Sequence, residues 1–127
     1  MKNGLKVAIP LLIVFLLLLI FQTIYFIGYV PTASMEPTLK EGSFILATRR
    51  YSELKRGDII VFRHDGSLMI KRIAAVQGDT VIVKDKTQTV PRNGFYVLGD
   101  NEDHSADSRF WEDPFVWEED ILAKVYI

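Results

Sequence analysis

The chain has 127 residues, a formal net charge of −1, no cysteine and two histidines, and 49% of its residues are hydrophobic. Zero cysteines exclude disulfides, thiolate metal sites and a cysteine nucleophile. A near-neutral charge without a dense Lys/Arg cluster excludes the footprint of a nucleic-acid-binding protein.

The N-terminal region is apolar without a break. Residues 7–30 are uncharged, and the stretch 11–21 has no polar side-chain atom. About 20 apolar residues rising about 1.5 Å each match a hydrocarbon core of about 30 Å, which predicts a transmembrane helix over residues 7–29. Lys2 and Lys6 lie before it and Tyr25 and Tyr29 at its far end, so the positive-inside rule places residues 1–6 in the cytoplasm and residues 30–127 outside. A cleavable leader is the competing reading, because Pro31-Thr32-Ala33 ends in a small residue. A leader's apolar region is shorter, about 7–15 residues, and proline three before the cut is unfavourable, so the anchor is favoured. Pro10 falls in the first turns, where a missing N–H is tolerated.

Beyond the span, roughly 95–100 residues suffice for one small domain. Apolar runs rich in β-branched residues recur at 44–47, 58–62, 68–76, 80–83, 95–98 and 121–127. Turn signals divide them: Arg56-Gly57-Asp58, Asp65-Gly66, Gln77-Gly78-Asp79, Pro91-Arg92-Asn93-Gly94 and Gly99-Asp100-Asn101. The pattern predicts a mainly β fold: one N-terminal transmembrane helix followed by a small all-β domain, with only a short turn at 52–55 as a helical candidate. Residues 100–120 hold nine acidic side chains against one arginine and read as solvated surface apart from Asp100 and Asp107. His64 and His104 are far apart with no short-spaced ligand partner, so a metal site is not expected.

Four segments carry chemistry. Pro31-Thr32-Ala33-Ser34-Met35-Glu36-Pro37-Thr38-Leu39 puts a serine hydroxyl directly after the apolar stretch. Tyr51 and Leu54-Lys55-Arg56-Gly57-Asp58-Ile59-Ile60-Val61-Phe62 follow, then Met69-Ile70-Lys71-Arg72, then Leu98-Gly99-Asp100-Asn101-Glu102-Asp103-His104-Ser105-Ala106-Asp107-Ser108-Arg109. In this order, and over about residue 7 to the C-terminus, the chain resembles the type I bacterial signal peptidases, which cut leader peptides from exported proteins.

The resemblance implies a signal-peptidase-like catalytic domain with Ser34 as nucleophile and Lys71 as the general base that later protonates the leaving amine. An exposed lysine, with a pKa of about 10.4, is charged and useless as a base at neutral pH. Burial disfavours the ammonium, and apolar Met69, Ile70 and Ile73 flank Lys71. By the same resemblance Ser105 orients the lysine through a hydrogen bond. The Ser34 N–H and the Thr32 hydroxyl meet the oxyanion, and Asp107, Arg109, Asp100 and Arg72 form a charged scaffold. Gly99 permits close backbone approach beside the lysine, and Met35, Ile45, Met69 and Ile70 line substrate pockets. The implied partners are exported preproteins with small residues at the first and third positions before the cut, and the bilayer; no cofactor is implied.

His104 beside Ser105 raises the Ser-His arrangement of eukaryotic and archaeal relatives, but the matched position here is lysine, so His104 reads as a loop residue. Glu112-Asp113 stand where the family usually has glycine, which puts the local turn in question. Two other functions compete. A non-catalytic assembly factor for surface structures would not retain both Ser34 and Lys71, and a self-cleaving Ser-Lys protease like the SOS repressors would need a DNA-binding domain in place of the span.

Because Lys2 and Lys6 are the only charged side chains before Glu36, an N-in, domain-out arrangement with an uncleaved span is expected. Protease added outside protoplasts should degrade the domain; protection, or a mature N-terminus near Ser34, would overturn the anchor.

Overall fold

The apolar N-terminal stretch is helical over Lys2–Ile24 (α1), and its side chains are exposed along most of its length. The computed structural model describes residues 2–126. Met1, the first residue of the expected cytoplasmic segment, and Ile127, the end of the last apolar run, lie outside the described residues. At 23 residues, α1 is about 35 Å long, enough to cross a hydrocarbon core of about 30 Å.

The helix does not reach residue 29 as predicted. Tyr25–Tyr29 form a strand, β1, antiparallel to Phe44–Thr48 (β2), with Tyr25 opposite Thr48 and Tyr29 opposite Phe44. The physical reason lies in two places. Tyr-Phe-Ile-Gly-Tyr is rich in aromatic and β-branched residues that suit a pleated surface, and Arg49 closes the helix end. Its N–H donates to Ile24 O at 2.7 Å and its Nε donates to Gln22 O at 3.1 Å, satisfying carbonyls that a helix leaves open while placing positive charge at its C-terminus. Tyr25 and Tyr29 therefore belong to a strand.

All six predicted apolar runs contain strands. Ile59–His64 (β3), Ser67–Ala75 (β4), Thr80–Val83 (β5), Lys86–Thr89 (β6), Gly94–Leu98 (β7), Val116–Trp117 (β8) and Ile121–Val125 (β9) complete the set. Seven strands form one antiparallel sheet in the order β1-β2-β9-β3-β4-β7-β8, and β5 and β6 make a separate hairpin. The segment 52–55 is irregular, and the helical turns after residue 30 among the described residues are two short 3-10 turns, Glu102–His104 and Glu118–Asp120.

β3 is the hub. Ile59 and Val61 join a cluster with Val30, Met35, Ile45, Ala47, Ala123 and Val125, whereas the alternate residues Ile60 and Phe62 join Ile73, Val97, Val116 and Ile121. Alternation along one strand thus feeds two cores, one on each face of the sheet. The Asp65-Gly66 turn from β3 to β4 has positive φ at both residues, +48° and +78°, as a two-residue hairpin turn requires. It sets Lys71 opposite Ile60 and Arg72 opposite Ile59. A third cluster, of Ala75, Val83, Val90 and Tyr96, seats the β5–β6 hairpin.

At Glu112-Asp113 the backbone has negative φ throughout, so glycine is not required there. Asp113 instead accepts hydrogen bonds from the Phe115 N–H at 3.1 Å and from Trp117 Nε1 at 2.8 Å, which shape the turn.

Candidate active site

Ser34 sits in an irregular loop between β1 and β2, and Lys71 lies on β4. Both are buried, Lys71 at 3% exposure, and Lys71 Nζ lies 2.7 Å from Ser34 Oγ, to which it donates a hydrogen bond. When the amine is neutral its lone pair can instead accept the hydroxyl proton. Burial lowers the Lys71 pKa, and the nearby Asp107 charge offsets only part of that fall.

Asp107 is fully buried. Arg109 grips its carboxylate with Nε at 2.9 Å and Nη2 at 3.0 Å, and the Gly99 N–H donates to it at 3.0 Å. Burial alone would raise this carboxyl, but the bonds from Arg109, Gly99 and the Arg109 backbone outweigh it, so the pKa falls.

A second bidentate pair lies next along the strand. Arg72 donates from Nε to Asp100 Oδ1 at 2.8 Å and from Nη2 to Asp100 Oδ2 at 2.7 Å, which lowers the Asp100 pKa. Thr38 Oγ1 donates to Asp100 Oδ2 at 2.6 Å, tying the serine loop to the same carboxylate. Gly99 lies between the halves: a Cβ there would fall 2.1 Å from Ser105 Oγ and 2.6 Å from Ser34 O, so any side chain would collide with the serine loop.

Thr32 lies beside Ser34. Its hydroxyl donates to Ser34 Oγ at 3.2 Å, and the Ser34 N–H donates to Thr32 Oγ1 at 3.5 Å. The serine faces an apolar cleft of about 200 Å³ between β1 and the first half of β4. Met35, Met69, Ile70, Thr32, Ser34 and Lys71 line it. Ile45, expected in the pocket, is absent from the lining and instead packs into the core with Met35.

Other expectations resolve differently. The Ser105 hydroxyl is buried without a hydrogen-bond partner among the described residues, so the expected bond to Lys71 is not formed; Lys71 is held by Ser34 instead. His104 is exposed, and Ser34 Oγ bonds Lys71 and Thr32 rather than an imidazole, while His64 stacks on Trp111 at 3.8 Å between ring centroids. Among the described residues no group of three His, Cys, Asp or Glu gathers to hold a metal.

The sequence reading missed Phe26, Gly28, Tyr29, Pro31 and Leu68 as cleft residues. The first three were hidden in the apolar stretch assigned to the helix. It also gave no role to Asn101, whose side-chain amide donates to Ala33 O at 3.0 Å.

Fold and site together define a β domain with a serine–lysine pair at an apolar cleft, behind a helix long enough to span a membrane. The family described as "Signal peptidase, peptidase S26" matches residues 3–88 and 82–127, and the chain belongs to that family. It is similar to signal peptidase I of Pseudomonas aeruginosa, 25% identical across 76% of this chain and 58% of that protein, and to probable signal peptidase I-2 of Synechocystis, 29% identical across 78% and 60%. The chain thus spans about three fifths of those two relatives. It is also similar to a Staphylococcus aureus protein named inactive signal peptidase IA, 26% identical across 86% of this chain and 83% of that one.

The buried amine makes stability depend on pH in a definite direction. Lys71 has a lower pKa folded than unfolded, so the unfolded chain binds more protons between those values, and stability rises with pH across that window up to about 10.4. Lys71→Met should raise Tm in detergent at pH 7, where about 4–8 °C corresponds to about 1 kcal/mol in a domain of this size. The gain should shrink as pH approaches the unfolded value; a gain independent of pH would show that the amine is not held against its charge.

Proposed function

We propose that this chain is a membrane-anchored serine endopeptidase that removes signal peptides from exported preproteins, with Ser34 and Lys71 as the catalytic pair. The observation that carries the reading is the buried 2.7 Å contact between Lys71 Nζ and Ser34 Oγ, at an amine whose pKa burial depresses. Neutral Lys71 takes the hydroxyl proton as Ser34 Oγ attacks the scissile carbonyl, then passes it to the leaving amine as the peptide bond breaks. Water hydrolyses the acyl-enzyme. The Ser34 N–H and Thr32 hydroxyl stabilise the tetrahedral oxyanion, at about 3 kcal/mol for such a donor. Nucleophile and proton carrier both come from the chain, so this chemistry requires no metal or cofactor.

The sheet supports an extended substrate. β7 pairs with β4 from Arg72 to Ala75, which leaves the outer edge of Ser67 to Lys71 open beside the cleft. A preprotein strand can add to that edge through main-chain bonds, with side chains read by the cleft. The narrow volume suits small residues at the first and third positions before the cut. In this reading α1 anchors the enzyme with its N-terminus in the cytoplasm and the domain outside, beside the leaders of its substrates.

A second reading is a non-catalytic relative that assists surface assembly, favoured by the likeness to the protein named inactive. A preprotein cleavage assay separates the two. Wild type should cleave, Ser34→Ala should not, and Lys71→Arg should be dead because guanidinium stays charged. Activity should rise with pH along a limb set by the depressed Lys71 pKa, while His64→Ala and His104→Ala keep most activity. An inactive but folded His104→Ala enzyme would replace Ser-Lys by Ser-His.

Thr32 makes a separable prediction. A donor that meets the oxyanion asks little of the neutral carbonyl. Thr32→Val should therefore lower kcat by roughly 10- to 1,000-fold with KM little changed, and Thr32→Ser should stay active. A raised KM at constant kcat would make Thr32 a pocket residue instead.

A further inference from the structure

Asn101 touches the backbone of the Ser34 loop twice without touching the Ser34 hydroxyl. Its Nδ2 donates to Ala33 O at 3.0 Å, and its own N–H donates to Ser34 O at 2.9 Å. The first contact matters for chemistry because Ala33 C=O and Ser34 N–H are opposite ends of one planar trans peptide. Donors that hold the oxygen on one side aim the N–H to the other. Here that other side is where Thr32 Oγ1 stands, 3.5 Å from Ser34 N. The Glu36 N–H gives the same oxygen a second donor at 3.1 Å, so the peptide is held by one contact from its own loop and one from far along the chain.

We propose that Asn101 is a positioning residue that fixes the Ala33–Ser34 peptide so that the Ser34 N–H points at the developing oxyanion. The proposal rests on the reading of Ser34 as nucleophile. Asn101 is itself well anchored: Asp100, next to it, is clamped by Arg72 and Thr38, and Asn101 O accepts the His104 N–H at 3.0 Å. A donor on the carbonyl also polarises the peptide and strengthens its N–H as a donor. The amide side chain is specific to this task. Aspartate has the same shape, but its ionised form offers no hydrogen to Ala33 O and adds a negative charge near an oxyanion.

The test uses the full chain in detergent with a peptide spanning a preprotein cleavage site. Asn101→Ala should lower kcat by roughly 10- to 100-fold with KM within about twofold. Asn101→Asp should be at least as impaired, and the pH limb set by Lys71 should not move in the alanine variant. A peptide boronic acid, which forms a tetrahedral adduct on serine, should lose affinity by about the same factor as kcat, while the cleaved product peptide binds as before. A loss confined to KM, or kcat per folded enzyme equal to wild type, would overturn the proposal.

If wild type and Ser34→Ala prove equally without peptidase activity, the reading of Ser34 fails, and Asn101 is still decided by nuclear magnetic resonance of isotope-labelled serine. Asn101→Ala should shift the Ser34 amide proton and speed its exchange, leaving the Ser108 amide unchanged. An unmoved Ser34 amide would show that Asn101 does not set its direction. Should the alanine variant fail to fold, the same measurements on Asn101→Asp decide the matter.

Discussion

An amine buried where its charged form is disfavoured is the constraint on which the rest of this structure turns. Lys71 is buried, and the negative charge of Asp107 pulls its pKa part of the way back up. Left to itself, a buried anion close by would restore the ammonium. Arg109 prevents this by closing on Asp107 with two bonds while the Gly99 N–H takes a third. The ion pair thus serves to spend the carboxylate's charge elsewhere, which leaves burial as the dominant influence on the lysine.

Lys71 and Arg72 divide two tasks between adjacent positions of one strand. Neighbouring residues on a strand face opposite ways. Lys71 meets Ser34, and Arg72 meets Asp100, which in turn holds Thr38. The strand that carries the proposed base therefore also fixes the loop that carries the proposed nucleophile, through groups that never meet each other. Gly99 lets this happen by leaving space where Ser105 and the Ser34 carbonyl converge.

The strands that were legible in the sequence announce themselves by β-branched runs between turn residues, as Asp58-Ile59-Ile60-Val61-Phe62 and Thr80-Val81-Ile82-Val83 do. β1 was not legible, because Tyr25-Phe26-Ile27-Gly28-Tyr29 continues an uncharged stretch without a polar break, and only the pairing with β2 and the Arg49 contacts separate it from the helix. β6, Lys86-Thr87-Gln88-Thr89, has no apolar side chain and exists by pairing with β5. At the site, Ser34, Lys71 and the two ion pairs stood out as motif residues. Asn101 stood in the same motif unremarked, since a side chain that bonds to distant backbone leaves no periodic trace. Ile45 was misread because an apolar strand residue beneath a cleft looks the same in sequence as one lining it.

The strand order carries a temporal consequence. β9 lies between β2 and β3, the strand before it and the strand after it in the sheet coming from much earlier in the chain. β2 follows the Ser34 loop and β3 pairs with the strand of Lys71, so the two halves of the site share a sheet only once Ile121–Val125 has inserted between them. Closing loops that long before any contact rewards them makes such pairing slow. During synthesis the Ser34 loop emerges early, but its contact with Lys71 waits until β9 has arrived. Until then, a half-made molecule holds its lysine in water, where the ammonium is the favoured form.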